Sequence, residues 1–157
     1  MRSMGYIPKD AKWYLADIVL EITVEGDPRN VVHTNLVLIR ADSPDDAYEK
    51  AIELGTAHEA SWENIDGKHV TYRFRGLRDL NVIISSKLEH GVELSYHENV
   101  GMDEAALQKW VTPKDELGVF SPIDPSTGPD YRSSDIVEKL YEEFPHLKPE
   151  TDKSKPN

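Results

Sequence analysis

The fold is decided by residues 12–25, which read KWYLADIVLEITVE. Apolar side chains occupy the even positions from Tyr14 to Val24, and polar side chains such as Asp17 and Glu21 occupy most of the odd ones. Because successive side chains of a strand point to opposite faces, this period of two predicts an antiparallel strand. One face of that strand should be buried and the other should be wet.

A second strand is predicted at about residues 31–41, after the turn-forming stretch 26–30, which reads GDPRN. Gly, Asp, Pro and Asn each favour turn geometry, so the two strands should form a hairpin. The second strand is more evenly apolar at residues 36–39, which read LVLI. A continuous apolar run is typical of a strand that is covered on both faces, so we expect this strand nearer the centre of the sheet.

The next element is a helix that begins at Ser43 and runs to about residue 58. Ser43 supplies an N-cap oxygen, and Pro44 loses nothing at the first helical position, where its missing N–H would be unpaired. Gly55 is a candidate for an end one turn earlier. The predicted apolar stripe of the helix consists of Ala47, Tyr48, Ala51, Ile52 and Leu54.

After a connector at residues 61–68, three further strands are predicted at about residues 70–75, 80–84 and 92–98, with Gly76 marking a bend or bulge between the first two. The resulting order is β-β-α-β-β-β, which predicts an α+β fold. An antiparallel sheet of four or five strands would pack one face on the single helix. A C-terminal helical segment at 102–117 would cap the sheet.

The chain divides by composition into three parts. Residues 1–11 form a polar lead, residues 12–120 form a single α+β domain, and residues 121–157 form a Pro-rich, mostly extended tail. A short amphipathic helix near 134–144 interrupts the tail, and its apolar stripe is formed by Ile136, Val137, Leu140, Tyr141 and Phe144. Such a helix either folds back on its own domain or docks into the groove of a partner.

Five stretches carry a resemblance to a known family: WYLA at 13–16, LIRADSP at 38–44 running into AYEKA at 47–51, FRGLRDL at 74–80, GVEL at 91–94, and PKDEL at 113–117 with Phe120. Together they resemble a family of small uncharacterised bacterial proteins, the domain of unknown function 4288, over about residues 13–120. The resemblance implies a shared fold. It implies no chemistry.

Composition and missing motifs exclude several classes of function. The chain has 157 residues, a net charge of −11 and no Cys, which disfavours a nucleic acid or an anionic membrane as partner and excludes thiolate chemistry. No apolar run is long enough to span a membrane, and residues 1–10 lack the apolar core of a signal peptide, so we expect a cytoplasmic protein. Nucleotide-binding, nucleophile-elbow and zinc-site spacings are absent, so we expect no cofactor, no metal and no catalytic residues.

The dense basic cluster is formed by Arg73, Arg75 and Arg78, and Asp79 follows it directly. One interpretation is an anion-binding or partner-binding surface, because guanidinium groups pair bidentately with carboxylates and phosphates. The other is structural pairing across strands with Asp17 and Glu21.

These observations favour a non-enzymatic binding or accessory module, with a protein partner that is basic in one version of the hypothesis, such as the target of an acidic inhibitor. One alternative is a small ligand-binding protein or enzyme that uses the arginine cluster. A homo-oligomer formed through an unpaired sheet edge is a third.

Overall fold

The computed structural model describes residues 5–122 and 127–149, so the first part of the predicted lead and parts of the predicted tail lie outside the described residues. The larger elements, in chain order, are β1 (Trp13–Val24), β2 (Val31–Arg40), α1 (Pro44–Ala57), β3 (Ala60–Glu63), β4 (His69–Val82), α2 (Glu104–Trp110) and α3 (Ser134–Glu143). The four strands form one antiparallel sheet in the order β2-β1-β4-β3. The protein is therefore an α+β protein with a four-stranded antiparallel sheet.

The predicted faces of β1 are confirmed. Ile18, Leu20 and Ile22 are fully buried on the inner face, which packs on α1 and the C-terminal chain. Asp17 lies on the outer face, and Arg73 is exposed on the same face of β4, opposite Glu21. The period of two in the sequence thus separates the two faces correctly.

The topology differs from the predicted order β-β-α-β-β-β in the C-terminal half of the sheet. β4 continues through Gly76, because two register shifts against β1 absorb the irregularity as β-bulges and the ladder resumes after each one. The predicted strands at 70–75 and 80–84 are therefore one strand. β3 lies where we expected a connector, and residues 92–98 are not in the sheet.

The position of β2 is the clearest departure from the prediction. The expectation of a central strand is wrong, because β2 pairs only with β1 and lies at the edge of the sheet. The continuous apolar run at 36–39 places Leu36 and Leu38 on the outer face, where both are exposed. The sequence of this strand is that of a covered strand, but its outer face and one of its edges are open.

Helix α1 begins as predicted, with the Ser43 Oγ accepting a hydrogen bond from the Asp46 N–H at 3.1 Å. The helix runs to Ala57 with His58 as its C-cap, as predicted, and does not end early at Gly55. Gly55 is buried, and a Cβ built there would overlap the ring of Phe74 on β4. The buried stripe consists of the small residues Ala47, Ala51 and Gly55, while Tyr48 and Leu54 of the predicted stripe are exposed. Small side chains let α1 approach the sheet closely.

The core is divided along the length of β1. One cluster lies between α1 and the first two-thirds of the strand, up to Leu20. A second cluster contains Ile22, Val24 and Val70, and Tyr131 from the C-terminal chain packs against it. α2 contributes no buried residue, so the expected capping of the sheet by residues 102–117 is not seen.

The C-terminal chain reaches the second cluster through backbone contacts. The Trp62 indole N–H donates to the Tyr131 carbonyl at 2.8 Å, and the Asn64 side-chain amide donates to the Asp130 carbonyl at 2.7 Å. A single β-bridge joins Asn64 to Ser133. The predicted domain boundary at residue 120 remains a prediction, but residues 130–133 are attached to the sheet.

We predict that Gly55→Ala lowers the free energy of unfolding in urea. The added methyl overlaps the Phe74 ring, and such overpacking costs about 1–3 kcal/mol, more than the gain of up to about 1 kcal/mol in helix propensity. Gly118→Ala is the matched control, because a Cβ at Gly118 meets nothing within 4 Å. Equal stabilities of Gly55→Ala and the wild type would contradict the close approach of α1 to the sheet.

We also predict that Asn64→Asp releases the C-terminal chain while the sheet stays folded. Asp retains the oxygen that accepts from the Asp66 and Lys68 N–H groups, but it replaces the donor that faces the Asp130 carbonyl with an acceptor. Hydrogen exchange of residues 129–137 should accelerate, and exchange of β1 should not. Asn99→Asp makes the same charge change at an exposed position and should alter the hydrogen exchange of neither segment.

Candidate functional site

The predicted arginine cluster lies along β4. Arg75 and Arg78 are the residues skipped where the ladder with β1 shifts register, so both occupy bulges. The Arg75 Nη1 lies 3.9 Å from the Glu21 Oε1. Arg73 faces Glu21 in the ladder, yet within the described ranges no ion pair joins Arg73 or Arg78 to an acid.

Asp79 has a local structural role. Its carboxylate accepts hydrogen bonds from the Leu80 N–H at 2.9 Å and from the Asn81 side-chain amide at 2.8 Å. It also lies directly opposite Asp17 in the ladder. The aromatic cavity described below is lined by other residues, and the interpretation of the arginine cluster with Asp79 as an anion-binding or partner-binding surface stays a prediction.

The predicted docking helix is α3, and one residue of its stripe is buried. Val137 lies inside, while Leu140 and Phe144 are exposed and Ile136 is 67% exposed. Tyr141 is half-buried. The helix is thus anchored at its N-terminal end by Val137 and by the preceding bridge at Ser133, and the rest of its apolar stripe stays open.

An aromatic cavity of about 500 Å³ lies on the inner face, beside the second core cluster. Its walls are Ile22, His33, Trp62, Tyr72, Tyr131, Arg132, Ser133 and Ile136. The ring centroids of Trp62 and Tyr72 lie 5.9 Å apart, edge to face. Those of His33 and Tyr131 lie 5.5 Å apart in the same arrangement. The four strands and the C-terminal chain all contribute to this cavity.

The charges at the cavity rim balance each other. The Arg132 guanidinium donates to the Asp130 carboxylate at 2.8 Å, which holds the pKa of Asp130 below its ordinary value and raises the pKa of Arg132. The Tyr131 hydroxyl lies 3.5 Å from the His33 Nε2. The remaining lining is mostly apolar, so the cavity suits an uncharged, flat ligand. Sequence analysis missed this group, because His33 and Tyr131 are 98 residues apart in the chain.

The outer edge of β2 is unpaired within the described residues. The Ala41 N–H donates to the carbonyl of its direct partner Lys12 at 3.0 Å, which makes this a hydrogen-bonded pair. Since hydrogen-bonded and non-hydrogen-bonded pairs alternate in an antiparallel ladder, the odd residues of β2 direct their backbone groups toward β1. The even residues direct theirs outward: Val32, Thr34, Leu36, Leu38 and Arg40.

This edge lacks the features that usually prevent strand addition. Residues 31–39 contain no charged residue, no Pro and no Gly, and the register with β1 has no bulge. The outer-face side chains of Val32, Leu36 and Leu38 are 55%, 65% and 41% exposed. Residues 88–95 pass beside Leu36 and Leu38 but leave an open space there. We call Val31–Arg40 with these exposed side chains the β2 edge.

Other kinds of site find no support in the part of the chain that the structure describes. There, no group of three or more His, Cys, Asp or Glu side chains could hold a metal ion. No helix among these residues is both long enough and apolar enough to cross a membrane.

A comparison with protein families gives one match. A family model described as "Domain of unknown function (DUF4288)" matches residues 13–96, which run from the start of β1 to a point 14 residues beyond β4. None of the curated proteins and none of the solved structures matches the chain. The match confirms the resemblance seen in the sequence, although it ends before the expected limit near residue 120. Because it covers more than half of the 157 residues, this protein belongs to the DUF4288 family.

Proposed function

We propose that this protein is a non-enzymatic protein-binding module that binds another polypeptide along the β2 edge. The observation that carries this proposal is a ten-residue strand whose outer edge is unpaired within the described residues and whose first nine residues carry no charge, because long edges of this kind are templates for a further strand. Neither the arginine cluster nor the aromatic cavity brings together an acid–base pair or a nucleophile with its base.

The binding mode follows from the direction of the backbone groups. Five residues direct an N–H and a C=O outward, and an added strand would satisfy them in a regular ladder. Each such hydrogen bond contributes a net stabilisation of about 0.5–1.5 kcal/mol. The exposed side chains of Val32, Leu36 and Leu38 would lose contact with water in the same step, which adds an apolar contribution.

The charge of the chain would influence the choice of partner. A net charge of −11 attracts a polypeptide with a basic surface and accelerates its association at low ionic strength. The β2 edge itself carries no acid, so the ladder forms without a repulsive contact in the strand. A basic target of an acidic inhibitor is one form of such a partner. The protein is expected to act in the cytoplasm.

We predict that a photoreactive residue, p-benzoylphenylalanine, placed at Leu36 forms an adduct with a polypeptide in the native cells. The same residue placed at Tyr48 should form none. These positions are 65% and 54% exposed, and Tyr48 lies on α1, outside the β2 edge. Mass spectrometry of the adducts identifies the polypeptide and the contact.

A variant in which a proline blocks the β2 edge controls for adducts that form by random collision. Leu38→Pro removes an outward N–H that β1 does not use, so it should abolish the adduct at Leu36 and leave the fold intact. An absence of adducts at Leu36, or the same adducts at Leu36 and Tyr48, would refute the proposed binding surface.

The aromatic cavity supports a second candidate function, the binding of a small aromatic ligand. We predict that the uncharged probe N-phenyl-1-naphthylamine binds there saturably, with a rise in its fluorescence. Ile136→Trp should fill the mouth of the cavity and weaken binding more than tenfold, while Val100→Trp, at another exposed position, should not. Equal binding by the two variants would exclude the cavity as the site.

A further inference from the structure

We infer that the polypeptide at the β2 edge is a second copy of this chain, paired antiparallel about a twofold axis at Asn35. This inference rests on the proposed binding at the β2 edge, but it replaces the basic partner considered above with a second acidic copy, so the pairing has to outweigh the repulsion between the two copies. The first support is that the sequence of β2 is typical of a covered, central strand, whereas the isolated chain leaves the strand at the edge. Pairing of two β2 strands would give each of them a neighbour on both sides.

The register follows from the outward-facing residues. In an antiparallel pair, residues that direct their backbone groups toward the partner must lie opposite each other. Only the even residues of β2 direct their backbone groups outward, so even residues must lie opposite even residues. The midpoint between two even residue numbers is a whole number, and the twofold axis therefore passes through a residue of the strand. An axis at Asn35 places Thr34 opposite Leu36 and Val32 opposite Leu38.

The neighbouring registers match the side chains less well. An axis at Leu36 would place the charged Arg40 opposite Val32, and an axis at Thr34 would leave Leu38 opposite Asn30, beyond the end of β2. With the axis at Asn35, Arg40 lies opposite Asn30, so the guanidinium stays at the polar rim. Val32 then faces Leu38 on the outer face and Val31 faces Ile39 on the inner face, while Leu36 faces Thr34 and Val37 faces His33.

The charge distribution favours this edge for contact between two copies. Two chains of net charge −11 repel each other, and repulsion is weakest where acids are absent. Among the four described strands, β2 is the one without Asp or Glu. Two acids lie on the outer face of β1 beside this edge, Asp17 opposite Leu36 and Glu21 opposite Val32. Glu21 is engaged by the Asn30 amide at 2.6 Å and by Arg75.

The absence of Cys from the chain allows a direct test with single cysteines. At the axis, Asn35→Cys lies opposite itself in a non-hydrogen-bonded pair, where the Cα atoms are about 4.5 Å apart and within disulfide reach. Leu38→Cys is three residues from the axis, so its Cα atoms are about 20 Å apart. Mild oxidation should link nearly all of the Asn35→Cys protein into dimers and leave Leu38→Cys monomeric on a non-reducing gel.

Light scattering of the wild-type protein should give the mass of two chains of 17.8 kDa each. Leu36→Pro removes an outward N–H and should give a monomer that keeps the wild-type circular dichroism. If the proline variant fails to fold, Leu36→Lys provides the alternative test of the interface. It should raise the dimer dissociation constant more than tenfold, although it lowers the net negative charge. Thr23→Lys, on the outer face of β1, should leave the dimer dissociation constant unchanged.

The outcomes separate this inference from the proposed function. A monomeric wild type whose Leu36 position cross-links to a different polypeptide in cells would overturn the second copy as partner and keep the proposed function. A monomer without such an adduct would refute both. A dimer that survives Leu36→Pro, or one that oxidises at Leu36→Cys and not at Asn35→Cys, would overturn the interface or its register.

Discussion

The length of β1 relative to α1 is the constraint on which the rest of the structure depends. β1 has 12 residues and spans about 40 Å, whereas the 14 residues of α1 span about 21 Å. One helix therefore covers part of the inner face. The close contact of Gly55 with Phe74 fixes where that cover ends, and the rows of Ile22 and Val24 lie beyond it.

The C-terminal chain covers the part of the inner face that α1 leaves uncovered. Ile22, Val24 and Val70 are almost completely buried even though no residue of α1 belongs to their cluster, because Tyr131 and Trp62 pack beside them. Two carbonyl groups of this chain, at Asp130 and Tyr131, are held by donors from β3 and from the turn that follows it. The aromatic cavity lies between the C-terminal chain and the part of the sheet that α1 does not cover, and no residue of α1 lines it.

The sequence predicts what depends on neighbours in the chain. The alternation in β1 fixed the two faces, and Ser43 with Pro44 fixed the start of α1. The rest depends on contacts between distant residues. The apolar run of β2 predicts burial, but whether the strand is covered depends on neighbours that are distant in sequence. Gly76 predicts a bend or a bulge, and the ladder with β1 shows that the strand continues through it. The cavity needed the contact of Trp62 with Tyr131, residues 69 positions apart.

The two open edges of the sheet differ in a way that limits assembly. β3 pairs with β4 only up to Tyr72, so residues 73–82 of β4 form a second edge. This edge carries two bulges and the three arginines, and the Glu59 carboxylate accepts the outward Phe74 N–H at 3.2 Å. Bulges and charges make it a poor template for strand addition, whereas residues 31–39 of the β2 edge have neither. The outer edge of β3 is only four residues long, and Asn64 directly after it bridges to Ser133. If β2 pairs with a partner strand as proposed, the partner therefore takes the long edge that has no bulge, and the bulged edge of β4 would not extend the assembly further.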